Sequence, residues 1–141
     1  MGAWEEELKK RSRLQPAVYY RYIDDIFGVW EYTIQELQKF SQLANSIHPK
    51  IALTLRSDDE RINFLDVNIT LSSDNSIATQ LFEKETNAYM YVHDKSNHPK
   101  ATKENIAYGL ALRSKRICSN EADYEQSKHK IEERLILRGH D

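Results

Sequence analysis

The chain has little of what usually locks or breaks a fold: one cysteine, three prolines and four glycines in 141 residues. A lone thiol, Cys118, cannot staple the chain internally and supplies no metal cluster, which fits a reducing, intracellular compartment. No apolar run approaches the ~18 residues of a membrane span. Met1 to Leu14 carries no apolar stretch of the kind that marks a secretory signal. Neither G-x-x-x-x-G-K-[ST] nor G-x-G-x-x-G occurs, so those nucleotide-binding loops are unsupported. The five histidines lack the close spacing of a zinc site. What is present is 40 % hydrophobic and 30 % charged sequence, the balance of a folded, rather polar domain of ordinary size.

The net charge of −2 conceals a division along the chain. Tyr20 to Asp94 holds 12 acids and 6 bases, whereas Lys95 to Cys118 holds six bases against the single acid Glu104. From Ser119 onward there are six acids and four bases. A basic stretch beside acidic ones suits either a polyanion-facing patch or a solvated helix face.

Residues 1–15 are helix-compatible, with Glu5, Glu6 and Glu7 four positions before Lys9, Lys10 and Arg11. Pro16 ends that helix. Val18 to Ile23 and Ile26 to Trp30 read as strands joined by an Asp24-Asp25 turn. Their nearly continuous apolar character predicts strands covered on both faces. Thr33 to Ser46 has helical periodicity, and Thr33 with Glu36 forms a capping box. Ile51, Leu53 and Leu55 alternate as in a strand, Ile62 to Leu71 reads as the next strand, and Ile77 to Glu83 as its hairpin partner. Tyr89 to Val92 is a further short strand. Two helices follow His98-Pro99. Gly109 marks a kink or break in the first, Ser119 or Asn120 caps the second, and Gly139 ends it. Cys118 reads as a small core residue, and Tyr89, Tyr91 and Tyr108 either stack on bases or belong to the core.

Asp24 and Asp25, flanked by Tyr22-Ile23 and Ile26-Phe27, admit two readings. Aspartate favours turns through its own hydrogen bonds. Adjacent carboxylates in a partly desolvated site instead call for a cation, and Mg²⁺ accepts one or two carboxylates plus substrate oxygens. Paired metals serve in-line displacement at phosphorus, but such a centre needs a third carboxylate. No acid-bearing strand precedes Pro16.

Tyr22-Ile23-Asp24-Asp25 resembles the Y-x-D-D hairpin of reverse transcriptases. Ile62-Asn63-Phe64-Leu65-Asp66-Val67-Asn68-Ile69 resembles the primer-grip strand of Penelope-like retroelements. Lys84, Thr86, Tyr89, Ser96, His98-Pro99, Ile106, Tyr108, Arg113, Arg116 to Ser119, Asp123-Tyr124 and Leu137 to Gly139 resemble that family's thumb. The sequence departs from the family at Glu85-Thr86-Asn87 and at His140. The resemblance implies an α+β partial palm, with antiparallel hairpins and a covering helix, followed by an all-helical thumb. Its parts would be a charged leader at 1–15, a palm at 16–94 and a thumb at 95–141. Asp24 and Asp25 would be catalytic and would bind two Mg²⁺ ions in the intact enzyme. Phe64, Leu65 and Asp66 would form the primer grip. Tyr22, Lys100, Lys103, Arg113, Lys115 and Arg116 would contact an RNA template–DNA primer duplex. The fingers and the first catalytic aspartate are missing, so dNTP binding and polymerisation would belong to the intact enzyme, while the uncovered palm face would self-associate. Family resemblance also implies a nuclear location.

Two other readings stand beside it. One is a non-catalytic nucleic-acid-binding remnant whose last two helices form a helix-turn-helix-like pair around Ser119-Asn120. The other is an interaction domain whose acids are structural.

Overall fold

The computed structural model describes residues 2–140 and divides the chain into two compact units, Met1–Ser57 and Asp58–Asp141. The fold is a small α+β arrangement with four helices and two small antiparallel sheets among the described residues. No helix in that range is long and apolar enough to cross a membrane.

The first unit comprises α1 (Gly2–Arg11), the hairpin β1 (Val18–Tyr22) and β2 (Asp25–Val29), and α2 (Ile34–Ser46). Trp4 and Leu8 from α1 and Ala44 from α2 form its buried cluster, with Ile26, Phe40, Leu43, Ile47, Ile51 and Leu53 packed around them. The Trp4 indole N–H donates to the Ala44 carbonyl at 3.0 Å, so the largest core side chain leaves no buried donor unpaired. Thr33 and Glu36 make the expected capping box at the start of α2. Of the three anticipated pairs within α1, Glu7–Arg11 is present at 2.7 Å. Glu5 turns instead to β1, accepting from Arg21 at 2.6 and 3.3 Å and from the Tyr19 hydroxyl at 2.9 Å. The Arg21 bonds hold its carboxyl below the usual range, and burial raises the Tyr19 phenol.

The second unit contains the meander β3 (Arg61–Phe64), β4 (Val67–Leu71) and β5 (Ile77–Leu81), then α3 (Lys100–Ile117) and α4 (Glu121–Ile136). The two helices pack on each other and on β5. Ile131 and Leu135 of α4 are buried, as is Ser114 of α3. In β4 the Asn68 side-chain oxygen is buried without a hydrogen-bond partner, which costs about 1–3 kcal/mol.

Several sequence expectations need correction. The first hairpin turns at Ile23-Asp24, not Asp24-Asp25, because Asp25 pairs with Tyr22 inside the ladder. Its strands are not covered on both faces: Tyr20, Tyr22 and Ile23 are 65 %, 58 % and 68 % exposed. Ile62 to Leu71 is two strands joined at Leu65-Asp66. Residues 51–55 form no strand, since the Asn45 side chain satisfies the Leu53 backbone in place of a neighbouring strand, donating at 3.0 Å and accepting at 2.6 Å. Residues 89–92 likewise form no strand: Arg138 Nε donates to the Tyr91 carbonyl at 2.8 Å, and His140 Nε2 lies 2.7 Å from that of Val92. Helix α3 runs through Gly109 without a break.

Candidate nucleic-acid interface

Helices α3 and α4 are separated by Cys118, Ser119 and Asn120, the three-residue connection that brings two helices together in a helix-turn-helix unit. Asn120 caps α4 by accepting from the Asp123 N–H at 2.9 Å. Ser119 and Thr79 bind each other's backbone, and Thr79 Oγ1 donates to the Ile117 carbonyl at 2.6 Å. The turn between the helices is therefore bonded to β5. Cys118 is a half-buried cap of α3 rather than a core residue within a helix.

The residues of α3 divide by helical position. Ile106, Leu110 and Ile117 are half-buried on one side with Ser114. Asn105, Tyr108, Gly109 and Arg116 are exposed on the other, at spacings of three, four and eleven residues from Asn105, with half-buried Leu112 between them at seven. Tyr108 is 67 % exposed. This separates the three tyrosines left ambiguous in sequence. Tyr89 is covered by the Arg134 guanidinium 3.3 Å from its ring centroid, and Tyr91 is half-buried.

The six bases of the 95–118 stretch have different surroundings. Lys103 is largely covered and bonds Asp94, donating to its carbonyl oxygen. Arg113 pairs with Asp66, and Lys115 pairs with Glu121 while lying 4.4 Å from the Tyr124 ring centroid. The Glu121 carboxylate raises the Lys115 pKa. Lys100 makes a loose 3.4 Å pair with Glu104 and keeps 86 % of its side chain exposed. Lys95 and Arg116 are exposed. Lys95, Lys100 and Arg116 are thus the bases most open to an external anion. The start of α4 is opposite in sign, with Glu121 and Asp123 in its first turn and Glu125 following.

The other residues singled out in sequence occupy two hairpin tips. Tyr22, Asp24 and Asp25 lie exposed at the first hairpin, in the unit that does not contain the basic helix. No group of three or more histidine, cysteine, aspartate or glutamate side chains converges to hold a metal among the described residues. The third carboxylate that a two-metal centre needs is therefore not supplied there. Half-buried Phe64 precedes the second tip, and exposed Leu65 and Asp66 form it. Asp66 is engaged by Arg113, while its carbonyl accepts from the Phe82 N–H at 2.7 Å. In the adjoining cleft, bounded by the Asp66–Arg113 pair, Glu83, Lys84, Tyr89 and Leu110, both acids are paired with bases: Arg113 engages Asp66, and Arg134 grips both oxygens of Glu83. Sequence reasoning missed Thr79 and Asp94, which hold the helical region in place. Both look like ordinary polar residues until their distant partners are known.

Residues 90–141 match the family model described as an animal helix-turn-helix domain, a stretch that is less than half of the chain. No curated protein and no solved structure matches significantly. This overturns the resemblance to Penelope-like reverse transcriptases: the segment taken for that family's thumb matches a helix-turn-helix domain instead, and no reverse transcriptase match supports the palm.

Proposed function

We propose that the 90–141 region is a non-catalytic nucleic-acid-binding module that holds the phosphate backbone through exposed bases on α3 and the segment before it. The match to an animal helix-turn-helix domain over these residues carries the reading. The excess of six bases over one acid from Lys95 to Cys118 supports it, because phosphate neutralisation supplies sequence-independent affinity. Among the bases, Lys95, Lys100 and Arg116 make the phosphate contacts. Lys103, Arg113 and Lys115 chiefly hold the module together through Asp94, Asp66 and Glu121. Asp24 and Asp25 take no part, and Mg²⁺ is not required.

Fluorescence anisotropy with a labelled duplex over a salt series tests this reading. Affinity falls steeply with salt, and Arg116→Ala weakens binding to all sequences while reducing the salt slope by about one. Asp24→Ala and added EDTA leave binding unchanged. Salt-independent binding, or loss of binding on Asp24→Ala, would favour the interaction-domain reading or a metal-dependent one instead.

A further inference from the structure

In the usual helix-turn-helix arrangement the second helix enters the major groove with its first residues against the base edges. The corresponding helix here is α4, whose first residues include Glu121, Asp123 and Glu125. Carboxylates at that end face phosphate repulsion, softened where Lys115 pairs with Glu121 and Lys128 with Glu125, while Asp123 accepts only from the neutral Asn120 amide at 2.6 Å. Helix α3 has the opposite character. Its exposed stripe presents Asn105, Tyr108 and Arg116, side chains able to bond or stack on bases and phosphates.

Gly109 lies within the same stripe and supplies a separate observation. It sits in the middle of an 18-residue helix, where glycine weakens helix formation relative to alanine. A Cβ built there meets nothing within 4 Å, so no neighbour in the described chain requires the missing side chain. A bare backbone on an exposed face, with Asn105 and Tyr108 beside it, half-buried Leu112 one turn on and Arg116 two turns on, suits close approach by a bulky partner. An α-helix about 10–12 Å across fits the roughly 12 Å major groove of B-form DNA, whereas the corresponding groove of duplex RNA is too narrow.

We infer that α3, not α4, is the helix that enters the major groove of double-stranded DNA, with Gly109 at the point of closest approach, Asn105 and Tyr108 beside it and Arg116 two turns on. This inference rests on the nucleic-acid-binding reading and goes beyond it by assigning the helix, the groove and the type of duplex.

The test uses the full chain with labelled DNA and RNA duplexes of equal length, at fixed low salt and across a salt series. Gly109→Leu fills open space, so it keeps the fold by circular dichroism while weakening DNA binding about ten-fold. Gly109→Ala raises the thermal midpoint and weakens binding less. Gln126→Leu, on the exposed side of α4, leaves binding unchanged. DNA is bound more tightly than RNA. Wild-type affinity in folded Gly109→Leu overturns the inference but leaves the broader reading intact if binding remains salt-dependent. A larger loss in Gln126→Leu, or equal affinity for the two duplexes, also overturns it. Failure of the wild-type chain to bind either duplex sinks both the inference and the reading beneath it.

Discussion

Thr79 and Ser119, forty residues apart, bond reciprocally: the Ser119 N–H donates to the Thr79 carbonyl at 2.9 Å, and the Thr79 N–H donates to Ser119 Oγ at 2.9 Å. The turn between α3 and α4 is thereby bonded to the edge strand of the three-stranded sheet. Thr79 Oγ1 adds a third link at the Ile117 carbonyl. Thr79→Val keeps the β-branched shape and removes only that hydroxyl. It lowers stability by about 1 kcal/mol, read as a shift in the urea midpoint by circular dichroism. Ser119→Ala has an effect of the same size, and the double variant loses less than the sum because the two sites are coupled.

The Arg134–Glu83 pair gives the second unit a pH dependence. Hydrogen bonding from Arg134, outweighing the opposing effect of burial, holds the Glu83 carboxyl below its usual range. A carboxyl depressed in the folded state stabilises that state above its unfolded pKa and ceases to do so as pH falls through the folded one. Glu83→Gln therefore costs about 1 kcal/mol near neutrality, discounted for partial exposure, and almost nothing well below pH ~4. Denaturant melts of both proteins across this range would show the gap closing. A gap that widened in acid would contradict the assignment.

Ile23 has φ +56° at the first position of its two-residue hairpin turn, and Leu65 has φ +53° at the same place in the next hairpin. This left-handed backbone costs an L-residue about 1–2 kcal/mol, most severely one branched at Cβ. Ile23→Gly and Leu65→Gly each stabilise the chain by about 0.5–1 kcal/mol after the added entropy of the unfolded glycine. Ile23→Val, which retains the strain, gains nothing. Thermal midpoints measure both effects.

Exposed Tyr20 and Tyr22 lie on one face of β1, whereas Tyr19 and Arg21 alternate with them and bond to α1. Apolar surface of this kind promotes association. Tyr20→Thr combined with Tyr22→Thr lowers the concentration-dependent weight-average mass in sedimentation equilibrium without altering helix content.

The same hairpins show how far the sequence could be read. Apolar periodicity located α2, α3 and α4, because each buries a side against a neighbour. Thr33 and Glu36 marked one cap correctly. The hairpin turns are less legible: Ile23-Asp24 and Leu65-Asp66 lack the asparagine or glycine that normally signals a reversed turn, so the pattern places the first a residue late and runs the second together as one strand. Alternation also overstated the strands at 51–55 and 89–92. There the backbone partners are side chains of Asn45, Arg138 and His140, which no local pattern announces. At the candidate site, charge drew attention to the basic helix. It could not separate Arg116, exposed on the outer stripe, from Arg113, whose partner Asp66 is distant in sequence.

Both tryptophans, Trp4 and Trp30, belong to the first unit, where Trp4 is almost fully enclosed and bonded to Ala44. Indole emission consequently reports the melting of that half alone. The second unit has tyrosine as its only strong chromophore, so its unfolding is nearly silent at wavelengths that excite indole selectively. Introducing one tryptophan at Tyr91 would give each half its own optical signature and reveal whether they melt in a single step or in sequence.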